Sequence, residues 1–236
     1  MQSATSAIAI CLCLLAATMP IHADDDHILA QLTHQKFSVR QQATRDLLAN
    51  PNLDDASIDR LFSLTTNLEQ QHRLLDVAKH HMLRRVRQNK FTPGNRGSLG
   101  VSIKTIQAHQ LPEHQQGAIY IDRTFPGFPA YWRLEQGDMI LAINDQKPLG
   151  MDGNEITQFL QKQITGMAPG TPVQLSVLRD NRTINVIVNL ASMQALSAMY
   201  ATHPSDNPRI SLPLTADLQA SWQIRRQQLL NLLPQT

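Results

Sequence analysis

The distribution of glycine constrains the fold of this chain more than any other feature. All ten glycines of the 236 residues lie between Gly94 and Gly170, and residues 24–93 and 171–236 contain none. Glycine permits positive φ angles and tight turns, whereas it is unfavourable inside helices. The sequence therefore predicts a turn-rich β module in the middle of the chain, between two flanking segments that are helical.

The first 23 residues have the pattern of an export signal. Residues 7–19 form an uncharged apolar run, too short for a bilayer span, which requires about 20 apolar residues. Small and polar residues then lead to Ala23 and to three aspartates at 24–26. We interpret residues 1–23 as a signal peptide cleaved after Ala23. A periplasmic or secreted bacterial protein is expected, with membrane association only if the segment stays uncleaved.

Charge and cysteine content argue against two classes of function. The 21 basic and 19 acidic residues leave a net charge of +2, too little for a nucleic-acid interaction based on bulk charge. Both cysteines, Cys11 and Cys13, lie in the predicted signal peptide, so the mature chain would have no disulfide. His80 and His81 would point about 100° apart on a helix and cannot share an ion. We interpret them as solvated or cap-side histidines, and expect no metal site.

Residues 27–90 have the apolar spacing of helices. Ser38 and Gln41 fit a capping box, and residues 37–47 resemble the first helix of a HEAT or armadillo-like repeat. Stable solenoids need about three repeats, so we predict a small helical bundle, HEAT-like at most. Asp54 or Asp55 can cap a further helix, and the last helix is expected over about 68–88. Its basic end is interpreted as solvated and comprises Arg84, Arg85, Arg87 and Lys90.

Segment 94–190 shows the patterns of a compact β-rich domain. Runs of alternating or continuous apolar residues predict strands over 99–103, 117–121, 139–143, 172–177 and 183–188. Ile156, Leu160 and Ile164 have helical spacing between the third and fourth strands. A few strands folded around one helix make a domain of ordinary size.

Three motifs in this segment resemble, in order and spacing, the PDZ domains of bacterial HtrA-type proteases. They are RGSLGV at 96–101, PGFPA at 126–130 with LEQGDMILAIN at 134–144, and PGTPVQLSVLRD at 169–180. The resemblance implies an α+β fold: a PDZ-like, partly open β-barrel or sandwich with an N-terminal helical bundle and a C-terminal helix. The predicted divisions are a signal peptide (1–23), a helical segment (27–90), a PDZ domain (94–190) and a helical tail with a proline-containing connector (191–236).

The same resemblance implies peptide binding. In PDZ domains a peptide adds as a strand beside the first loop, and successive loop amides, here those of Leu99, Gly100 and Val101, form a nest for its terminal carboxylate. The last peptide side chain would enter a pocket between that strand and the helix. For the apolar residues involved, packing in the core is an equally good explanation. The residues predicted to bind peptide are Arg96, Gly97, Ser98, Leu99, Gly100, Val101, Ser102, Ile103, Leu160 and Ile164.

No catalytic residues are predicted. HtrA-type proteases need a trypsin-like domain with a glycine-rich nucleophile loop, which residues 24–93 cannot supply, and no lysine follows Lys162 to form a Ser–Lys pair. We expect an exported, non-catalytic adaptor that binds protein C-termini or extended peptides, without a nucleic acid or a small-molecule cofactor. The alternatives are a structural scaffold whose groove is filled by the protein itself, and a regulatory subunit of an envelope protease.

Overall fold

The computed structural model describes residues 22–91, 94–106, 118–148, 153–200 and 214–233. They form a helical unit, a β-rich unit, and a C-terminal helix that packs back on the helical unit. The elements in chain order are α1 (His22–Leu32), α2 (Phe37–Ala49), α3 (Asp55–Ser63), α4 (Leu68–Lys90), β1 (Gly97–Ser98), β2 (Val101–Ile106), β3 (Ala118–Thr124), β4 (Met139–Ile143), α5 (Gly153–Thr165), β5 (Pro172–Arg179), β6 (Arg182–Asn189), β7 (Ala191–Ser192), α6 (Met193–Met199) and α7 (Ala216–Leu230).

The N-terminal segment predicted as a signal peptide lies outside the described residues, apart from the start of α1 at His22. Export and cleavage after Ala23 therefore stay predictions. Within the described ranges, no helix combines the length and the hydrophobicity that a bilayer crossing requires.

Helices α1 to α4 pack around one apolar core. Asp54 caps α3 as the sequence suggested, because its Oδ1 accepts the Ser57 N–H at 2.8 Å. The predicted capping box at Ser38 and Gln41 is wrong: α2 begins at Phe37, two residues before the Val39 that a cap at Ser38 would make the first helical residue, and it has no side-chain cap from the preceding residue, Lys36. Ser38 thus lies inside the first turn, where its hydroxyl cannot take the capping position. The buried members of this core include Leu32, Leu47, Ile58, Phe62, Leu74 and Val77.

The β-rich unit is an open, antiparallel five-stranded sheet with the order β2-β3-β4-β5-β6. Strands β1 and β7 form a separate two-stranded sheet. The strand predicted over 99–103 begins two residues later, at Val101, because Gly100 has a φ of 73° and breaks the extended backbone between β1 and β2. The hairpin between β5 and β6 turns through Asp180 and Asn181, which both have positive φ, a geometry that favours these residue types.

Helix α5 packs against the sheet through Ile156, Leu160 and Ile164, all buried as the periodicity predicted. The shared core also contains Ile119, Ile140 and other residues of β3 to β6. This arrangement confirms the α+β, PDZ-like fold class and shows the sheet to be open rather than closed into a barrel.

A partly buried ion pair connects the start of β4 with the end of β5. The Asp138 carboxylate, 1% exposed, accepts hydrogen bonds from Arg179 Nε at 2.7 Å and Arg179 Nη2 at 2.6 Å, and from the Glu135 N–H at 2.8 Å. The bond to Asp138 raises the pKa of Arg179. The second and third sequence motifs therefore meet at this pair, in which charge and hydrogen bonding are both satisfied.

The two units meet where α4 contacts the turn after β3. His80 is fully buried, and its Nδ1 accepts the Gly127 N–H at 3.0 Å. Its ring also stacks on Tyr131, with 5.2 Å between the centroids. His81 is buried too and bonds to the Leu47 carbonyl oxygen at 2.9 Å. The interpretation of both histidines as solvated or cap-side is therefore wrong, because the turn at Gly127 covers His80 and α2 covers His81.

The basic end of α4 is likewise only partly solvated. Arg87 Nε donates to the Gly127 carbonyl oxygen at 2.8 Å, and the guanidinium lies 5.7 Å from the centre of the Phe128 ring. Burial lowers the pKa of Arg87, and the nearby Arg84 adds to this effect. Helix α4 thus forms hydrogen bonds with both backbone groups of Gly127, through His80 and Arg87. Gly127 belongs to the turn that packs against the 96–101 loop.

Candidate functional site

An apolar groove lies between β2 and α5. It encloses a cavity of about 100 Å³. Strand β2 is at the edge of the five-stranded sheet, and no strand within the described residues pairs with its outer side. The cavity is lined by Ser98, Leu99, Gly100, Val101, Ile103, Leu160, Gln161, Ile164, Thr165, Met193 and Leu196.

The structure brings together seven of the ten predicted residues around this cavity and leaves Arg96, Gly97 and Ser102 out of its lining. Arg96 is exposed. Gly97 anchors the loop, because its N–H donates to the Met167 carbonyl oxygen at 2.7 Å. Ser102 alternates with the cavity-lining Val101 and Ile103 along β2.

The turn after β3 packs against the 96–101 loop and fixes its position. The Gly100 carbonyl oxygen accepts the Phe125 N–H at 3.0 Å, and a Cβ at Gly100 would lie 2.3 Å from the Phe128 Cβ. The Gly100 N–H donates to Ser98 Oγ at 3.1 Å. A carboxylate oxygen that reached the Gly100 amide would therefore replace the Ser98 hydroxyl as its partner.

Sequence reasoning missed four lining residues. Gln161 and Thr165 follow the predicted Leu160 and Ile164 directly, so the extent of the helix face could have indicated them. The other two, Met193 and Leu196, belong to α6, which lies beyond the motifs. Helix α6 reaches the groove because β7 pairs with β1 and the Met193 N–H donates to the Arg96 carbonyl oxygen at 3.0 Å.

A larger cleft of about 550 Å³ lies between the helical unit and the β-rich unit. Two contacts cross this cleft: Arg45 forms an ion pair with Glu135, and the Tyr131 hydroxyl donates a hydrogen bond to the Asp76 carboxyl group. Burial raises the pKa of Asp76. These contacts join the two units. Within the described ranges, no cluster of three or more His, Cys, Asp or Glu side chains could hold a metal ion.

Comparison with known families identifies the β-rich unit. Residues 88–178 match the family model of the PDZ domain, so this chain contains a PDZ domain. PDZ domains are interaction modules that bind peptides at a sheet edge, and the match is to such a module rather than to a catalytic domain. No curated protein matches the chain at a significant level.

Solved structures of HtrA-type proteases show similarity to less than half of the chain. A structure of the HtrA-type protease AlgW with a decapeptide is 25% identical, with a TM-score of 0.33, over 41% of this chain and 29% of the other. A structure of the same protease with a tripeptide is 23% identical, with a TM-score of 0.34, over 41% and 31%. This chain therefore matches about a third of the length of those proteases.

Proposed function

We propose that the groove between β2 and α5 binds the C-termini of partner proteins, or extended segments of them, by adding a strand beside β2. The observation that supports this most is the free outer edge of β2 among the described strands, next to an apolar cavity and the glycine-containing 96–101 loop. An edge strand offers unpaired backbone groups for a guest strand. The cavity would receive the last side chain of the guest, while the loop amides would bind its carboxylate.

The cellular role that fits this site is that of an exported, non-catalytic adaptor. The matched family is an interaction module, and the N-terminal 23 residues have the pattern of a signal peptide. Fractionation of a Gram-negative host that expresses the full chain tests the export. A periplasmic product that lacks residues 1–23 is expected, whereas a full-length product in the cytoplasm contradicts the proposal. Cleavage of unfolded casein by the purified protein would contradict the non-catalytic role.

Carboxylate capture is tested by comparing peptides with a free and an amidated C-terminus. Each hydrogen bond to a charged group contributes about 1.5–3 kcal/mol, so amidation should weaken binding by at least about tenfold. Isothermal titration calorimetry measures both affinities, and micromolar binding, about −8 kcal/mol, is expected for the free acid. Equal affinity for the two peptides would contradict carboxylate capture.

The groove itself is tested with Val101→Asp. Val101 lines the cavity, and an unpaired carboxylate there is costly to desolvate when a peptide covers it. We expect binding to be lost. Ile187→Asp is the matched control, because it adds the same charge in place of an exposed apolar side chain of β6, at the opposite edge of the sheet and outside the cavity lining. If both folded variants bind like the native protein, or both lose binding equally, the groove assignment is wrong.

A further inference from the structure

A second cleft lies away from the groove, between the last residues of β6, the basic end of α4 and the residues that follow the turn after β3. Its volume is about 470 Å³. Three arginines line it, Arg84 and Arg87 from α4 and Arg133 from the segment before β4. Among the described residues of the lining, none is Asp or Glu. The cleft is therefore positively charged, although the whole chain carries a net charge of only +2.

The three arginines of the cleft have no acidic partner. None of their guanidinium groups forms an ion pair with a carboxylate of the described residues. On the same helix, by contrast, Arg85 pairs with Asp55 at 2.6 Å. The dipole of α4 explains only part of this charge, because it favours cations within the last turn, and Arg84 and Arg133 lie outside that turn.

Two of these guanidinium groups are also partly removed from water. Burial lowers the pKa of Arg84 and of Arg87, and a neighbouring arginine adds to the effect in each case. Partial burial disfavours a charge unless an opposite charge offsets it. The planar donors of arginine match the two oxygens of a carboxylate, and they also bind phosphate. The chemistry of the cleft therefore favours an anionic ligand.

The end of β6 makes the cleft a site for a polypeptide in particular. No strand among the described residues pairs with the outer side of β6, and residues 187–190 line the cleft. Ile187 is 56% exposed there. A free sheet edge offers backbone N–H and C=O groups to another extended chain, whereas a phosphate ion or a lipid headgroup has no backbone to pair with them. Among anions, the edge thus selects a peptide with acidic side chains.

We propose that this cleft is a second docking site, which binds an extended acidic segment of a partner protein as a strand beside the end of β6, with its carboxylates paired to Arg84, Arg87 and Arg133. Apolar side chains between the acidic ones would contact Ile187. The site is separate from the groove between β2 and α5, because β2 and β6 are the two edges of the five-stranded sheet. It requires no free C-terminus.

An acidic peptide without a free C-terminus tests the site. It has eight residues, the length of β6, alternates Glu and Val, and is acetylated and amidated at its ends. Calorimetry with the purified protein should show binding that weakens as salt is added. The same peptide with Gln in place of Glu should bind at least about tenfold more weakly, since one hydrogen bond to a charged group contributes about that factor. Equal affinity for the two peptides overturns the proposal.

The arginines are tested in a double variant, Arg84→Gln with Arg133→Gln. It should weaken binding of the acidic peptide at least about tenfold. Arg87 is left unchanged, because its side chain also supports the turn after β3. Lys147→Gln with Arg226→Gln is the matched control, since it removes two positive charges from exposed positions outside the lining. If the two folded double variants bind the peptide equally, the cleft is not its site.

Strand addition is tested with two further peptides, N-methylated at every Glu or at every Val. Backbone amides of an extended chain point alternately to opposite sides, so the peptide whose blocked amides face β6 should lose binding. Retained binding of both overturns strand addition. Inorganic phosphate and phosphatidylglycerol vesicles are the alternative ligands. If either binds in a way that depends on Arg84 and Arg133 while the acidic peptide does not bind, the cleft is an anion site and not a docking site for a protein.

Two single variants separate this site from the groove. Val101→Asp should leave binding of the acidic peptide unchanged. Ile187→Asp should weaken it at least about tenfold, because the new carboxylate repels the glutamates and competes for the arginines. If the acidic peptide does not bind while free-acid peptides do, the second site fails and the proposed function of the groove stands. Loss of the acidic peptide in Val101→Asp would place that peptide in the groove and overturn the second site.

Discussion

Gly100 is the residue on which the geometry of the 96–101 loop depends. Its φ of 73° lies in the left-handed region, and its missing side chain lets Phe128 approach to 2.3 Å from the place where a Cβ would stand. The same residue provides the amide that now bonds to Ser98. Backbone conformation, close packing and the candidate carboxylate contact therefore coincide at one position.

Gly100→Ala should destabilise the protein and abolish peptide binding. A left-handed conformation costs a residue with a Cβ about 1–2 kcal/mol, and the clash with Phe128 adds about 1–3 kcal/mol. Gly170→Ala is the control, since Gly170 also has a positive φ, but no atom of the described residues lies within 4 Å of the place where its Cβ would stand. Urea unfolding measures both. Equal losses of stability in the two variants would show that the contact with Phe128 is unimportant.

At the scale of elements, the sequence correctly predicted those helices and strands whose position depends on neighbouring residues alone. The stripe of α5, the cap of α3 and the strand at β4 follow from periodicity and capping chemistry. The break between β1 and β2, the groove wall on α6 and the burial of His80 depend on partners far away in the chain. Periodicity indicates which face of an element is apolar, but it does not identify what covers a polar residue such as His80.

The contact of α4 with the turn at Gly127 makes stability depend on pH. Burial lowers the pKa of His80 well below 6.5, helped by His81, Arg84 and Arg87. The unfolded chain takes up a proton as the pH falls below about 6.5, while the folded protein keeps His80 neutral. The free energy of unfolding should therefore decrease from pH 7 to pH 5, by up to about 1.4 kcal/mol per pH unit for one proton.

His80→Gln should reduce this pH dependence, because glutamine does not titrate. The substitution also removes the imidazole nitrogen that accepts the Gly127 N–H. If the glutamine side chain does not accept this hydrogen bond, the free energy of unfolding at pH 7 should fall by about 1–3 kcal/mol. Some dependence should persist, since burial also lowers the pKa of His81. Urea titrations between pH 5 and 7.5 measure the slope, with the exposed His72→Gln on the same helix as control. If the free energy of unfolding of His80→Gln depends on pH as steeply as that of the native protein, His80 is not the cause of the pH dependence.

At the scale of the whole molecule, the helical unit and the PDZ domain share one continuous set of contacts. Helix α7 returns from the far end of the chain, where Trp222 and Leu229 enter the helical core and Arg225 pairs with Asp59 at 2.6 Å. Tyr131, from the PDZ side, packs against that same core. The 96–101 loop packs against the turn at residues 125–128, and α4 forms hydrogen bonds with that same turn. We therefore expect the groove and the helical unit to unfold together.

Gly127→Ala tests this coupling. A Cβ at Gly127 would lie 2.8 Å from the Leu83 Cβ, and the φ of 87° is strained for alanine, so the substitution should push the PDZ domain away from α4. The native protein should unfold in one calorimetric transition. In a Trp132→Phe background, Trp222 is the one remaining tryptophan, and its fluorescence should change at the same temperature. Gly127→Ala should give two transitions, and Trp222 should report only that of the helical unit. Gly170→Ala, with comparable backbone strain and no clash with the described residues, should lower the midpoint and keep a single transition. Two transitions in the native protein, or one in Gly127→Ala, would contradict a shared stability and would leave the groove independent of the bundle.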